Sequence, residues 1–531
     1  MKELLRKYAD QNPERFNKEF ILSRNKQDIL SYVTDIFKSL EILEEIKVES
    51  VTLETSEAEM GPIKNQHKYY KSILPSRLER IHYKLRITPS ESVKNIPILD
   101  DDEKAPSDDE KPVTSETFIK EGDILVNKLI DNCFYVNEGI RYFLIYQIVD
   151  NSTYGTGDCV SLKSLLMPIT VMQHERVVSP EYDLMPETLP YYDVMLFAKK
   201  VNPMLYTLAK DSYNSLIKLD AKDDENIIDL WQNHRDTGII DKLNKFWKTD
   251  LKFSDKLEAE DGRTYFHVSS EKDKKEGCYI SVASDKLAND PLTKAVVGSL
   301  LNISSSDGKK RIVYSYDDLI SPWFWVNSIA TFFTKNTDSL KRFDKVKTML
   351  ISLNRLIDDA TRKILDIDDE DKKNTLTIVR YILKNFDELS KADSRDLDHK
   401  RLRLFEYQLF PLRKYFSDQI YRVLNSPTRS KAVLDRMFSN LSPMKIIKET
   451  VTNELLRYYN SPNEINLYSA LLKCSFKGPQ SLNKTVNVMQ RDLHPSYVGR
   501  ISLISSAAGD PGMSSNICPF IEVGENGMLK N

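Results

Sequence analysis

The spacing of apolar residues near the start of the chain predicts a helix followed by a sheet. In "NKQDILSYVTDIFKSLEIL" the apolar positions recur every three or four residues, at Ile29, Val33, Ile36, Phe37 and Leu40. From Lys47 the pattern changes to strict alternation, as in "KVESVTLET" and "IHYKLRIT". Alternation of this kind is typical of strands with one buried face.

A second strand pattern begins at Cys133, in "CFYVNEGIRYFLIYQIV". The tripeptide Asn137-Glu138-Gly139 separates two apolar runs and predicts the turn of a β-hairpin. Further along, one apolar stripe at helical spacing predicts a helix face in a core: Phe343, Val346, Leu350, Leu353 and Ile357.

Other helices are indicated around 375–390, 405–425 and 443–459. The pattern as a whole predicts an α+β, multidomain chain with mostly antiparallel strands. We detect no internal repeat.

Length and composition predict a folded chain with several domains. The 531 residues exceed what one hydrophobic core usually supports, so two to four domains are expected. With 40% hydrophobic and 29% charged residues, the composition is that of a globular protein. Residues 98–117, "ILDDDEKAPSDDEKPVTSET", are acidic, carry two prolines and lack apolar periodicity, which predicts a solvated loop.

Charge and cysteine content restrict the function further. The formal net charge is −3, so any contact with nucleic acid must come from local patches. The five cysteines form no C-x-x-C pair and argue against a zinc site or a disulfide framework. The most apolar run, "SPWFWVNSIATFF", is too short to span a bilayer, and the charged start lacks the apolar core of a signal peptide. We expect a soluble intracellular protein.

Catalytic motifs are absent from the sequence. There is no G-x-x-x-x-G-K-[ST], no G-x-G-x-x-G and no H-E-x-x-H. The run "ILDIDDEDKK" lacks the central glycine and distal glutamate of a calcium loop, so we interpret it as a hydrated helix end or linker. His494 with Ser496, Ser502 and Asp492 lies near in sequence but without a nucleophile elbow, which disfavours a hydrolase.

Near the end of the chain, one segment carries a family resemblance. "RDLHPSYVGRISLI" resembles the fork segment RDVHPTHYGRhCPIETPEG of the β subunit of multisubunit DNA-dependent RNA polymerases, where h is hydrophobic. The matching residues are Arg491, Asp492, His494, Pro495, Gly499, Arg500 and Ile504. The family's Thr-Pro-Glu-Gly is replaced by Ser506-Ala507-Ala508-Gly509.

Four more segments resemble the same family, in the same order. "CFYVNEGIRYFLIYQ" is similar to its G-x-F-h-I-N-G-x-E-R-V-I-V-S-Q hairpin. "RDLDHKRLR" is similar to D-I-D-H-L-G-N-R-R-h-R, with three residues missing after His399. "FKGPQSLNK" resembles LGPGGLTR, with Lys484 at the arginine position, and "NGMLKN" resembles N-E-Y-G-F-L-E.

The resemblance implies the N-terminal half of a split β subunit, of the kind found in the non-virion RNA polymerases of giant bacteriophages. It implies a protrusion at 1–148 and 405–455, a lobe at 149–404 and the start of the fork at 456–531. Such a chain is expected to form one wall of the DNA cleft and part of the roof over the RNA–DNA hybrid. The chain ends where an ordinary β subunit is about half complete, so a second polypeptide is expected to continue it.

By the same resemblance, this chain contributes no catalytic residue, metal ligand or cofactor site. The family's Mg²⁺ ions bind the N-A-D-F-D-G-D motif of the β′ subunit, which this sequence lacks. Contacts with nucleic acid on the hybrid side of the fork are expected at Lys473, Ser475, Lys484, Arg491 and Arg500.

A pocket for a downstream base of the nontemplate strand is expected at Asp396, Leu397, Asp398 and Lys400. As an alternative, these aspartates pair with Arg401 or Arg403 in a purely structural network, and the fork residues line a buried contact between subunits.

The expected partners are a C-terminal β-like chain, β′-like chains, a promoter-specificity subunit, and template DNA with its RNA hybrid. The expected location is the cytoplasm of the infected bacterial host. The alternative function is a stand-alone phage nucleic-acid-binding or structural protein with a polymerase-derived fold.

Overall fold

The computed structural model is described here for these residues: 18–43, 45–54, 78–89, 117–137, 139–163, 168–182, 185–196, 199–219, 226–257, 260–269, 277–306, 308, 310–354, 361–362, 365, 367–391, 393, 395–424, 426, 429–439, 446–447, 454–478, 492–502, 514–519, 521–524 and 527–530.

The described residues up to Asp150 form one α-helix and six strands. They are α1 (Lys18–Lys38), β1 (Ile46–Glu54), β2 (Leu78–Ile87), β3 (Phe118–Asn127), β4 (Phe134–Asn137), β5 (Ile140–Leu144) and β6 (Tyr146–Asp150). The predicted apolar stripe from Ile29 to Leu40 is buried, which confirms the helix up to the short 3₁₀ turn at Ser39–Ile42. The predicted hairpin is confirmed as β4 and β5, with Gly139 at a φ of 84°.

The middle of the chain alternates strands and helices. The strands are β7 (Thr153–Thr156), β8 (Cys159–Lys163), β9 (Pro168–Val178), β10 (Glu187–Leu196), β11 (Lys199–Val201), β12 (Lys252–Ser254), β13 (Arg263–Ser269) and β14 (Gly277–Ala283). The helices are α2 (Pro203–Leu216), α3 (Ile227–Asn233), α4 (Gly238–Trp247), α5 (Ser284–Asn289), α6 (Pro291–Leu301), α7 (Tyr316–Leu319), α8 (Pro322–Phe333), α9 (Ser339–Asn354), α10 (Thr375–Lys384) and α11 (Phe386–Ser390).

The described elements from Lys400 onwards include three helices and seven short strands. They are β15 (Lys400–Arg403), α12 (Phe410–Leu424), α13 (Lys431–Ser439), β16 (Leu456–Tyr458), α14 (Glu464–Leu471), β17 (Lys473–Ser475), β18 (Ile501–Ser502), β19 (Ser514–Ile517), β20 (Glu522–Val523) and β21 (Leu529–Lys530).

Local sequence explains several of the helix starts in the middle segment. Asn202 and Asp290 each accept a hydrogen bond from a backbone N–H of the first turn, and each precedes a proline at the first helical position. Both choices suit a helix N-terminus, since proline has no N–H to leave unsatisfied there. In α9 the predicted stripe is buried at Phe343, Val346, Leu350 and Leu353, and Ile357 lies outside the described residues.

The strands form six sheets, and almost all pairs are antiparallel. The sheet orders are β1-β2-β3, β11-β10-β9-β8-β7, β12-β14-β13, β15-β6-β17-β19-β18, β16-β5-β4 and β20-β21. Only the β17–β6 pair is parallel among the described strands. The mixed α+β character and the antiparallel preference expected from the sequence are both observed.

Buried apolar residues separate into two large clusters. One runs from Val160 to Phe386 and packs the middle helices onto the five-stranded sheet β11-β10-β9-β8-β7. We call it the central core. The other combines residues from Ile21 to Ile148 with residues from Leu397 to Leu529, and we call it the outer core. The chain therefore leaves the outer core after β6 and re-enters it before β15.

One helix prediction is wrong in part. The helix expected around 443–459 does not include Leu456–Tyr458, which form β16 and pair with β5. A three-residue strand gives too short an alternation to be distinguished from a helix segment, and its pairing partner lies far back in the chain. The acidic loop predicted at 98–117 lies outside the described residues, apart from Thr117 at its end.

Candidate functional site

The candidate site is built on the sheet β15-β6-β17-β19-β18, whose strands come from distant parts of the chain. We call it the composite sheet. The register places Leu402 beside Ile148, Cys474 beside Ser515, and Ile501 beside Ile517. These side chains are buried and form one face of the composite sheet on the outer core. The apolar face therefore holds strands together that lie up to several hundred residues apart.

The opposite face of the composite sheet is polar. By register it carries Arg403, Gln147, Ser475 and Lys473. Arg403 donates from Nε to Oε1 of the fully buried Gln147 at 2.8 Å, and Ser475 is also buried. Lys473 is exposed. Of the expected fork contacts, Lys473 and Ser475 thus share one face, but only Lys473 presents its side chain to solvent.

Arg401 lies on the same face of the composite sheet and forms an ion pair with Glu406. Its Nη1 and Nη2 each donate to Glu406 at 2.7 Å, the paired geometry that a guanidinium suits. Burial by itself would raise the pKa of the Glu406 carboxyl, but Arg401, Arg403 and Arg413 together outweigh burial and hold that pKa below its ordinary value. Burial next to Arg401 lowers the pKa of Arg403 to about 10. Arg401, named above as an alternative partner of the aspartates, therefore pairs with Glu406.

The segment before β15 forms a tight turn at the edge of the composite sheet. Asp396 accepts from the Asp398 N–H at 3.0 Å and so caps the 3₁₀ turn Leu397–His399. The Leu397 N–H donates to the Ser496 Oγ at 2.9 Å. Because the Leu397 side chain is buried in the outer core, Leu397 anchors this turn to the core.

Lys400 also forms an ion pair within the chain. It is buried, and its Nζ lies 2.8 Å from Oδ1 of Asp150, directly opposite on β6. Lys163 reaches the other oxygen of the same carboxylate at 4.0 Å. Burial lowers the pKa of the Lys163 ammonium to about 8, against the attraction of Asp150. Asp150 therefore ties together the two points where the chain leaves and rejoins the outer core.

Arg500 joins the two expected sites. Its Nη2 lies 2.5 Å from Oδ1 of Asp398, so a residue expected on the hybrid side contacts one expected in the base pocket. The Arg500 side chain is 10% exposed and that of Asp398 is 59% exposed. The Nε and Nη1 groups of Arg500 are buried and have no hydrogen-bond partner among the residues that the structure describes. Asp398 is thus the exposed member of the pair, held in place by a buried cation.

His494 and Ser496 brace the same turn from the other side. His494 Nδ1 accepts from the Ser496 N–H at 3.3 Å and lies 2.8 Å from the Ser496 Oγ. Asp393 lies 4.0 Å from His494 Nε2 and is bonded to Arg395, whose guanidinium lowers the Asp393 pKa to about 2. The Ser496 hydroxyl also accepts from the Leu397 N–H, so these groups hold the turn before β15 in place.

Two expected contacts, Lys484 and Arg491, lie outside the described residues. Sequence reasoning missed Asp150, Glu406 and Gln147, which fix the cations of the site. In "KRLR" the apolar Leu402 stands between Arg401 and Arg403, a pattern that could have indicated a strand with the two arginines on one face.

No metal-binding group is found in the part of the chain that the structure describes: no three His, Cys, Asp or Glu side chains are arranged to hold an ion. In the acidic run after Leu365, Asp371 lies 2.8 Å from Arg380. Across the same residues, no helix has the length and apolar character needed to cross a bilayer.

Comparison with models of protein families gives a match. A family model described as a non-virion RNA polymerase subunit matches residues 1–529. A search of curated proteins finds no match. The matched range includes both cores and every strand of the composite sheet.

Proposed function

The chain belongs to the family of non-virion RNA polymerase subunits, and from that premise we propose that it is the noncatalytic, N-terminal β-like subunit of a bacteriophage DNA-directed RNA polymerase. As a polymerase subunit, it works with other subunits of the enzyme. The family assignment favours this role over a stand-alone nucleic-acid-binding protein.

One observation carries the β-like part of the proposal. The segments that resemble β subunits are far apart in sequence, yet they meet in and around the composite sheet. β6 ends the first such segment, β15 belongs to the second, and β18 belongs to the fork-like segment. The last one adds Gly527, whose carbonyl accepts from the Leu402 N–H at 2.8 Å. Convergence of these segments is what a shared β-type architecture requires.

In the proposed assembly, residues 1–148 and 405–455 form the protrusion, 149–404 the lobe and 456–531 the start of the fork. Protrusion and lobe line one side of the DNA cleft. We assign backbone contacts to the exposed Lys473 and to Lys484 and Arg491, since cations on such a wall hold phosphates without reading sequence.

We assign the base contact to Asp398, whose exposed carboxylate can accept from a base N–H. Arg500, Leu397 and Lys400 would then act by holding the turn. Ser475, which is buried, would contribute to the sheet beneath.

The proposal places the chemistry in other chains. The Mg²⁺ ions would be held by a β′-like subunit, and a C-terminal β-like chain and a specificity subunit would complete the enzyme in the cytoplasm of the infected host. The isolated chain is then inactive in RNA synthesis.

Co-expression with the other polymerase subunits tests the proposal. We expect a stable complex that transcribes DNA, and no synthesis by this chain alone. In that complex, a photo-crosslinking amino acid at Lys473 should label nucleic acid when the DNA template is present. Incorporation of ribonucleotides by the purified single chain would refute the noncatalytic role. Absence of labelling from Lys473 in a complex that transcribes DNA would refute the placement of Lys473 in the cleft.

A further inference from the structure

The end of the hairpin formed by β9 and β10 presents three large apolar side chains to solvent. Val177 is 63% exposed, Tyr182 73% and Met185 75%. Single exposed apolar residues are common on protein surfaces, but three of them within nine positions at one hairpin end are a concentration of the kind found at interaction sites. We call Val177, Tyr182 and Met185 the hairpin patch.

The hairpin end is held in place by the body of the central segment. The Glu181 N–H donates to the Tyr265 carbonyl oxygen at 2.8 Å, and the two residues form an antiparallel bridge between the hairpin and β13. Pro180 beside it is buried. The hydrogen bond and the bridge therefore fix the backbone at Glu181, directly before Tyr182.

Tyr182 is held in a backbone conformation that its side chain disfavours. Its φ of 66° lies in the left-handed region, where a residue with a Cβ is strained and glycine is not. Strain of this kind persists where the surrounding structure imposes it and is concentrated at functional sites. The fold thus retains an exposed aromatic ring at a position that local stability alone would give to glycine.

Charge indicates the class of partner. The described acidic side chains of this hairpin near its end are Glu175, Glu181 and Glu187. The same stretch carries one arginine, Arg176, whose Nη1 donates to Asn302 at 2.7 Å. An acidic surface repels phosphates, so the hairpin patch suits a protein surface better than DNA or RNA.

We propose that the hairpin patch docks onto another subunit of the same RNA polymerase, at an apolar depression rimmed by lysine and arginine side chains. An aromatic side chain inserted into such a depression, with charges at the rim, is the usual composition of an interface hot spot. The inference rests on the family assignment and is independent of the β-like role.

The test uses the full-length chain and the complex of the remaining subunits. Tyr182→Gly removes the ring and also the strain, so we expect the melting temperature of the free chain to stay the same or rise. Its dissociation constant for the remaining subunits should rise by about tenfold or more, as for a central aromatic contact. Loss of affinity in a variant of equal or greater stability is a result that a merely structural role cannot give.

Two further variants make the measurement independent of folding. Met185→Gln keeps the backbone unstrained at its own position and should also weaken assembly. Leu340→Gln, at a 47% exposed position in α9, is the matched control and should assemble as the wild type does.

Unchanged affinity in both Tyr182→Gly and Met185→Gln overturns the inference. The inference is also overturned if the variants assemble normally but bind an oligonucleotide more weakly, because the hairpin patch would then bind nucleic acid. It is overturned as well if they assemble normally but self-associate differently, because the hairpin patch would then bind a second copy of this chain. A wild-type chain that joins no other subunit would overturn the proposed function as well, whereas the preceding outcomes leave that function intact.

Discussion

The pair formed by Arg500 and Asp398 predicts an asymmetry between two substitutions that remove the same contact. Asp398→Ala leaves the Arg500 guanidinium buried, with its last bonded nitrogen now also unpaired. Arg500→Met removes that guanidinium, together with its two unpartnered N–H groups, and leaves Asp398 59% exposed to water. A buried polar group without a partner is destabilising, but a hydrated carboxylate is not.

The magnitudes follow from that difference in burial. Losing a charge-assisted hydrogen bond from a buried cation costs about 1.5–3 kcal/mol, so Asp398→Ala should destabilise by about 2 kcal/mol. Arg500→Met should cost about 0–1 kcal/mol, because the methionine keeps most of the apolar packing. In the Arg500→Met background, the further change Asp398→Ala should have almost no effect, giving a coupling close to the full cost of Asp398→Ala.

The assay must separate the two cores. All four tryptophans belong to the central core or pack against it: Trp231, Trp247, Trp323 and Trp325. Tryptophan fluorescence therefore follows the unfolding of the central core, whereas far-UV circular dichroism follows both. With an m-value of about 2 kcal/mol/M in urea, Asp398→Ala should move the outer transition seen by dichroism down by about 1 M. The fluorescence transition should not move.

If Arg500→Met lowered the free energy of unfolding as much as Asp398→Ala or more, this reasoning would be refuted, since Arg500 would then stabilise the fold without Asp398. A shift of the fluorescence transition in either variant would show that the pair acts on the central core.

Three further outcomes can be checked in the same chain. Gly155→Ala should lower the fluorescence transition, because its Cβ would stand 1.8 Å from the Leu389 carbonyl oxygen, a backbone atom. Lys163, with a pKa of about 8, should react with an amine-acylating reagent several-fold faster at pH 8 than the exposed Lys341, measured by peptide mass spectrometry. Equal rates would contradict the lowered pKa. The pKa of Asp393 is lowered to about 2, so its carboxylate stabilises the fold at pH values above the ordinary pKa of an aspartate, and this stabilisation is lost as pH falls through 2. Asp393→Asn should remove that contribution and so flatten the acid limb of the curve of stability against pH.

Local periodicity was sufficient to predict the elements that depend on near neighbours. The helix stripe from Ile29 to Leu40, the hairpin at Gly139 and the buried stripe of α9 are all properties of a dozen residues or fewer. Short strands are different. β16 and β17 have three residues each, and they exist because of strands β5, β6 and β19 elsewhere in the chain.

The sequence was sufficient to predict several residues of the candidate site, but not which of them contact each other. Resemblance identified Asp398 and Arg500 separately and gave them different roles, and only the fold brings them together. The partners of Lys400 and Arg401, namely Asp150 and Glu406, carry no local signal, since any carboxylate at the right place would serve. Ion pairs across long sequence separations depend on register, which single-sequence patterns do not contain.

The way the chain connects the two cores explains why the unfolding of each core should be measured separately. Asp150 and Lys400 are directly opposite in the register of β6 and β15, so the chain leaves the composite sheet and returns to it at neighbouring positions. The composite sheet therefore needs the ends of the central segment to meet, but none of its strands comes from inside that segment. A substitution within the central core, such as Gly155→Ala, acts on the site chiefly through this junction, where Lys163 and Lys400 share the Asp150 carboxylate. A substitution at Asp398 acts on the composite sheet directly, which is why dichroism and fluorescence should separate the two.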